Sequence, residues 1–156
     1  MVRQNYAGLD RMESRSFSFG EFQVIAQHNP ERIRSSAAKT DKESIRRRAC
    51  FLCGHNRPKE QQGIGFDQKY TILINPFPIF PGHLTIPLNE HLPQEIRPYF
   101  PDMLELCRQL PGFTFFYNGP RCGASAPDHF HFQAGTGNVM PTDRELERMT
   151  SRHGEL

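Results

Sequence analysis

Asp128-His129-Phe130-His131-Phe132-Gln133 is the stretch from which the rest of this 156-residue sequence is best read. Side chains in a β-strand alternate between its two faces. A strand over 128–134 therefore places His129, His131 and Gln133 on one face. Phe130 and Phe132 then point the other way, into a core. Three polar groups buried without partners would cost about 1–3 kcal/mol each. The polar face must line a solvated or ligand-filled cleft, or hold a metal. One histidine alone is most often an ordinary surface or core residue, but three polar groups in register on one strand face are not.

The preceding segment, Asn118-Gly119-Pro120-Arg121-Cys122-Gly123-Ala124-Ser125, is built of small residues. Gly119 and Gly123 let the backbone approach a ligand, and free amides in such loops hold phosphate oxygens. Asn118 adds an amide donor and Ser125 a hydroxyl. A phosphate cradle next to a histidine strand suits one chemistry. A neutral imidazole nitrogen attacks an α-phosphorus in line and displaces a phosphorylated leaving group. The other ring nitrogen must donate a hydrogen bond to fix the tautomer. Gln133 can donate to a phosphoryl oxygen but cannot act as an acid, which favours transfer to an acceptor over hydrolysis.

Outward from this strand, Tyr70–Ile74 is a β-branched apolar run and reads as a strand ended by Asn75-Pro76-Phe77-Pro78. Pro81-Gly82 is a turn, and His83–Ile86 a second strand stopped by Pro87. Phe113–Tyr117 is a third. A helix with Pro101 in its first turn is predicted before it, with Met103, Leu104, Cys107 and Leu110 as its apolar face. Residues 1–15 are polar and expected to fray. Phe17 to Ile25 reads as extended with a break at Gly20, residues 31–48 as partly helical, and 141–152 as a charged final helix beginning near Pro141. Strands joined by tight turns, with one helix among them, predict an α+β fold with an antiparallel sheet. No strand feeds a Gly-rich turn into a helix, so a Rossmann unit is excluded.

The length fits one domain with one core. Hydrophobic residues make up 37% and the net charge is +2, too small to argue for a nucleic-acid partner. The basic residues Arg32, Arg34, Lys39, Lys42 and Arg46-Arg47-Arg48 read as a solvated face, or as a source of one or two arginines for a substrate phosphate. There is no N-terminal apolar segment of a signal peptide and no run near the ~18 apolar residues of a membrane helix. The expectation is a cytoplasmic chain without a membrane partner. In that reducing setting, Cys50-x-x-Cys53 points to metal or redox chemistry. Its spacing is that of a zinc knuckle, which needs two further ligands. His91 and His129 are the candidates, with His55 an alternative to His91. His83 reads as a pocket or packing residue, Cys107 as core, and Cys122 as a small loop residue.

These residues resemble the transferase branch of the histidine-triad superfamily, which carries His-x-His-x-Gln where the hydrolases carry a third histidine. Gly123-Ala124-Ser125-Ala126-Pro127 resembles hexose-1-phosphate uridylyltransferases and diadenosine tetraphosphate phosphorylases. His131-Phe132-Gln133-Ala134 is similar to phosphorylases of the GDP-L-galactose type. So are Leu73-Ile74-Asn75-Pro76-Phe77-Pro78-Ile79, Gly82-His83-Leu84-Thr85-Ile86-Pro87 and Leu92-Pro93-Gln94. The two ordered blocks, 72–96 and 118–135, cover somewhat under a third of the chain. Asp128 departs from the pattern.

The resemblance implies a histidine-triad-like antiparallel half-barrel packed by helices, and often a dimer. It implies that His131 is the nucleophile, that Gln133 holds the nucleotidyl phosphate, and that Asn75 and Phe77 lie near the ribose or base. It also implies structural zinc on Cys50, Cys53, His91 and His129. The implied activity is phosphorolysis of a nucleoside diphosphate sugar such as GDP-hexose, with inorganic phosphate as acceptor. A dinucleoside polyphosphate phosphorylase or hydrolase is the alternative, and a non-catalytic nucleotide-binding or zinc-stabilised interaction domain the third. The expected layout is an N-terminal extension over 1–48, the catalytic domain over 49–140 and a helix or tail over 141–156. Enzymes of this branch are often longer and two-lobed, so the chain is expected to be a fragment or a one-lobe form completed by a dimer partner.

Overall fold

The computed structural model describes residues 2–20, 22–29, 40–136 and 140–146. Five strands form one open sheet: β3 (Ile64–Phe66), β4 (Tyr70–Ile74), β5 (Leu84–Pro87), β6 (Phe113–Phe116) and β7 (His131–Thr136), in the order β3-β4-β5-β7-β6. Every neighbouring pair is antiparallel. The α+β reading holds. Tyr70, Ile86, Phe130, Phe132 and Ala134 meet on one side of the sheet and form the core with Leu106 and Phe115. The alternation of the histidine strand thus sends both phenylalanines inward, where their rings meet edge to face at 4.9 Å.

Three local readings are corrected. The strand begins at His131, not Asp128; residues 127–129 are a turn, closed by the His129 amide on the Ala126 carbonyl at 3.3 Å. The helix over Phe100–Gln109 turns a different face to the sheet. Leu106 is fully buried, with Met103 and Leu110 packed beside it, whereas Leu104 and Cys107 are exposed. Neighbouring helical residues point about 100° apart, so a one-residue error in phase moves a side chain from core to solvent. Cys107 is therefore a surface residue. Third, residues 2–15, expected to fray, fall mostly within regular elements. A helix, Val2–Ala7, and a 3-10 turn, Gly8–Arg11, precede a hairpin of β1 (Glu13–Phe19) and β2 (Phe22–His28). Asn5 donates to the Pro76 carbonyl at 2.6 Å and the Tyr6 hydroxyl to the His83 carbonyl at 3.1 Å. Those partners lie more than 70 residues away, beyond the reach of local polarity.

Gly20 takes a left-handed φ of +62° at the break between β1 and β2. Asp67 and Gln68 both have positive φ, 48° and 54°, and Lys69 N–H closes the turn on the Phe66 carbonyl at 3.2 Å. This turn of three residues, 67–69, separates Phe66 from its ladder partner Tyr70. It joins β4 to β3, a strand the sequence reading lacked. Within 31–48 the helix covers Lys42–Arg47, its first turn capped by the Asp41 carboxylate on Ser44 N–H at 2.9 Å. Residues 31–39, with Arg32, Arg34 and Lys39, lie outside the described residues, as do 147–152 of the expected final helix; 141–146 are helical. Among the described residues no helix is long and apolar enough to cross a membrane.

Candidate active site and metal centre

The sheet face opposite the core carries His131 and Gln133 side by side on β7, the central strand of the β5-β7-β6 group. His131 is almost fully buried. Its Nδ1 lies 2.9 Å from the His129 carbonyl oxygen. A carbonyl only accepts, so Nδ1 carries the proton and Nε2 keeps its lone pair. Burial pushes the His131 imidazole below its ordinary value, which favours the neutral ring.

Gln133 is oriented by a second histidine. The Ile79 amide donates to His83 Nδ1 at 3.2 Å, so the His83 proton sits on Nε2. That Nε2–H meets Gln133 Oε1 at 2.9 Å. With its oxygen engaged, the Gln133 carboxamide presents its NH2 group as the free end. His83 is itself buried and stacks near Phe116, with Phe80 at 4.8 Å. Phe80 also packs against the backbone of Gly135, where an added Cβ would run into its ring.

Asn75 organises the loop after β4. Its Oδ1 accepts from Phe77 N–H and its Nδ2 donates to Thr85 Oγ1, both at 2.8 Å. Phe77 is half-buried beside it. Asn118, Gly123 and Ser125 all lie on the segment between β6 and β7. Gly123 has φ +82° and open space where a Cβ would stand, so the backbone conformation, not crowding, asks for glycine there. Arg48 ties this segment down through Nη2, which donates to the Ser125 carbonyl at 3.0 Å and to Asp128 at 3.1 Å. Of the basic residues weighed for a phosphate, Arg48 is thus committed to the loop itself.

Cys50, Cys53, His91 and His129 converge at the turn before β7, with one ligand atom from each lying within 4.8 Å of every other. His129 Nδ1 is 3.3 Å from Cys50 Sγ, 3.6 Å from Cys53 Sγ and 3.2 Å from His91 Nδ1. Cys53 Sγ to His91 Nδ1 is 3.2 Å. Tetrahedral zinc, with bonds of about 2.3 Å to sulfur and 2.0–2.1 Å to nitrogen, sets its ligand atoms roughly 3.3–3.8 Å apart. The set fits such an ion. His129 Nε2 donates to the Leu88 carbonyl at 2.8 Å, which leaves Nδ1 as the lone pair facing the sulfurs. Burial alone would raise the Cys50 thiol; the contact with His129 and the hydrogen bonds from the amides of Leu52 and Cys53 outweigh it and bring it to about 6. His55 is exposed and stands apart from the cluster. Cys122 is exposed on the glycine-rich segment.

Sequence reasoning gave His83 a pocket or packing place, weighed Arg48 only as part of a solvated face or as an arginine for a substrate phosphate, and gave Gln94 no particular task. The signal for His83 was its place in Gly82-His83-Leu84, just ahead of β5; nothing local marks a side chain that works by holding another residue's backbone.

Several solved structures are similar to this chain. Yeast Ap4A phosphorylase matches 86% of this chain at 16% identity with a TM-score of 0.51. The chain spans about half of that protein, 48% of its length. A histidine triad protein from Clostridium difficile (16% identity, TM-score 0.42) matches 59% of this chain and 90% of its own. A HIT family hydrolase from Clostridium thermocellum (20% identity, TM-score 0.42) matches 58% and 90%. No curated protein matches the chain. One family model, described as a domain of unknown function (DUF4922), matches residues 1–136. The chain has a histidine-triad-like fold, and it belongs to the DUF4922 family.

Proposed function

We propose that this protein is a nucleotidyltransferase of the phosphorylase type, with His131 as nucleophile. The observation that carries this reading is the pair of polarity-fixed side chains on β7. His131 has its Nδ1 proton held by the His129 carbonyl, and Gln133 has its oxygen held by His83. The first leaves a nucleophilic Nε2, the second an amide donor for a phosphoryl oxygen. The Nε2 lone pair forms a bond to the α-phosphorus as the bond from that phosphorus to the bridging oxygen breaks. The leaving group departs with that oxygen. An oxygen of inorganic phosphate then attacks the nucleotidyl-histidine, and the N–P bond breaks to return the ring. Gln133 cannot supply a proton, so the leaving group must be one that departs as an anion, such as a phosphate ester.

The substrate we infer is a nucleoside diphosphate sugar such as GDP-hexose, because the two sequence blocks around Asn75–Pro87 and His131–Ala134 are similar to that class of phosphorylase. The products would be a nucleoside diphosphate and a sugar 1-phosphate. A dinucleoside polyphosphate is the second reading, supported by the fold likeness to yeast Ap4A phosphorylase over most of this chain. Asn118, Gly123 and Ser125 are assigned to the phosphates, and Asn75 with Phe77 to shaping the nucleoside side of the cleft. Zinc on Cys50, Cys53, His91 and His129 would be structural; it would supply rigidity to the turn before β7 and no chemistry.

Intact-mass measurement tests the reading. Incubation with nucleoside diphosphate sugars and dinucleoside polyphosphates, without phosphate, is expected to add one nucleoside monophosphate, and His131→Ala to abolish it. Addition of phosphate should release the adduct as a nucleoside diphosphate. An adduct that survives His131→Ala, or no adduct from any nucleotide, defeats the covalent mechanism and leaves a binding domain. Adducts from dinucleotides alone would move the substrate to the second reading.

A further inference from the structure

The nucleophile strand has a gap in its ladder, and one side chain fills it. Just beyond the ends of β5 and β7, Leu88 N–H donates to the Phe130 carbonyl at 3.0 Å, which continues the register of the ladder by one bond. Antiparallel pairs alternate, so the next residue, His131 opposite Pro87, turns its own N–H and C=O away from β5. They face the side of β6. That strand, however, ends at Phe116 opposite Gln133. Continued in register, it would bring Asn118 opposite His131.

Gln94 occupies that place. Its Oε1 accepts from His131 N–H at 2.7 Å, and its Nε2 donates to the His131 carbonyl at 3.0 Å and to the Asn118 carbonyl at 2.9 Å. The orientation is fixed by chemistry, since an N–H can only donate and the two carbonyls can only accept. Gln94 is 2% exposed, so these bonds stand in a water-poor setting. Its own backbone is held in turn: the Tyr117 hydroxyl donates to the Gln94 carbonyl at 2.8 Å, and Phe130 N–H to the Leu92 carbonyl at 2.7 Å. The side chain acts as one borrowed peptide unit, inserted where β6 has parted from β7. It satisfies His131 and holds the Asn118 segment one side chain's width away.

We infer that Gln94 is a positioning residue, which sets the main chain of His131, and through it the imidazole, against the phosphate-binding segment. The inference rests on His131 being the nucleophile. Gln94 touches no substrate. Its effect should appear mainly as a loss of rate, larger than any loss of nucleotide binding, because two of its three bonds hold His131 and only one reaches the Asn118 segment.

Two variants probe it. Gln94→Met keeps the length and removes all three bonds. Gln94→Glu keeps the acceptor for His131 N–H but sets carboxylate oxygen against two carbonyls. Both are to be compared with the parent protein at equal metal content and as folded chains by thermal melt. Displacements of about 1 Å at a reacting group cost about a hundredfold in rate, so nucleotidyl-histidine formation should slow by that order while the nucleotide Kd holds within about threefold. Long-range 1H–15N spectra give a readout that a merely structural role would not move. The parent should show His131 as the Nδ1–H tautomer alone, and the variants a mixture of tautomers. Should both substitutions fail to fold, Tyr117→Phe loosens only the Gln94 backbone and should slow the same step severalfold, with the same tautomer change. Full rate and an unchanged tautomer in the folded variants would overturn the role of Gln94. A parent protein that forms no adduct at all would overturn the nucleophile assignment instead, and is recognised before any variant is made.

Discussion

Two polar regions meet at the start of β7, and they use histidine in opposite ways. In the metal cluster, His129 gives its Nε2 proton to the Leu88 carbonyl and turns Nδ1 to the sulfurs. On the sheet face, His131 gives its Nδ1 proton to the His129 carbonyl, which leaves Nε2. The two rings are two residues apart and present different nitrogens because different carbonyls hold them. The lesson is that neither histidine's role is a property of the side chain. It is set by which backbone oxygen lies within reach of which ring nitrogen.

The sharpest way to break this comparison is to remove one histidine or ligand and watch the other region. With His131 as the nucleophile we propose, His131→Ala is expected to lower nucleotidyl transfer by about 10⁴-fold or more, since a nucleophile has no substitute. Metal content, measured by atomic emission on purified protein, should be unchanged. If the metal is lost as well, the regions are not separate. Cys50→Ser, or chelation, should act in the reverse order. It should release the metal and destabilise the fold by on the order of several kcal/mol, read as a lower thermal midpoint, because a structural metal contributes its binding energy to folding. Transfer by the molecules still folded should fall far less than in His131→Ala.

A finer cut lies within the sheet face. His83→Phe keeps an aromatic ring beside Phe80 and Phe116 but frees the Gln133 carboxamide to flip. Loss of one oriented donor at a reacting phosphate is expected to reduce the transfer rate by about 10–100-fold, with zinc content unaffected. A rate equal to the parent's would show that Gln133 needs no orienting. The smallest effect is confined to packing. Gly135→Ala places a methyl against the Phe80 ring, and overpacking of this kind costs about 1–3 kcal/mol. A urea midpoint that does not move would mean that Phe80 is free to swing away.

How much of this was legible depends on how far the determining contacts lie along the chain. Strand β4 was read to the residue, because Tyr70–Ile74 is β-branched, apolar and stopped by proline. Phe130 and Phe132 were placed in the core by alternation alone. Cys50, Cys53, His91 and His129 were picked out by residue type and resemblance, and the fold brings all four together. Strand β3 was missed because its turn is Asp67-Gln68: aspartate suits such a turn, but glutamine rarely takes positive φ and the glycine that usually follows is absent. The helix over Phe100–Gln109 was found but rotated, since Met103, Leu104, Leu106 and Leu110 support two phases and only the sheet decides between them. Order at Asn5 and Tyr6 comes from partners on the far side of the chain. Gln94 belongs to the same class, a residue whose work is done on another residue's backbone and which therefore leaves no periodic trace.

The carbonyl of His129 has a consequence for how this site can vary over descent. Every residue type brings a backbone carbonyl, so the hold on the His131 proton is indifferent to which side chain stands at 129. A lineage can exchange His129 for another residue, give up the four-residue cluster, and still inherit a ring at 131 that is presented the same way. The candidate metal ligands and the strand that carries His131 are neighbours in space but separate heritable traits.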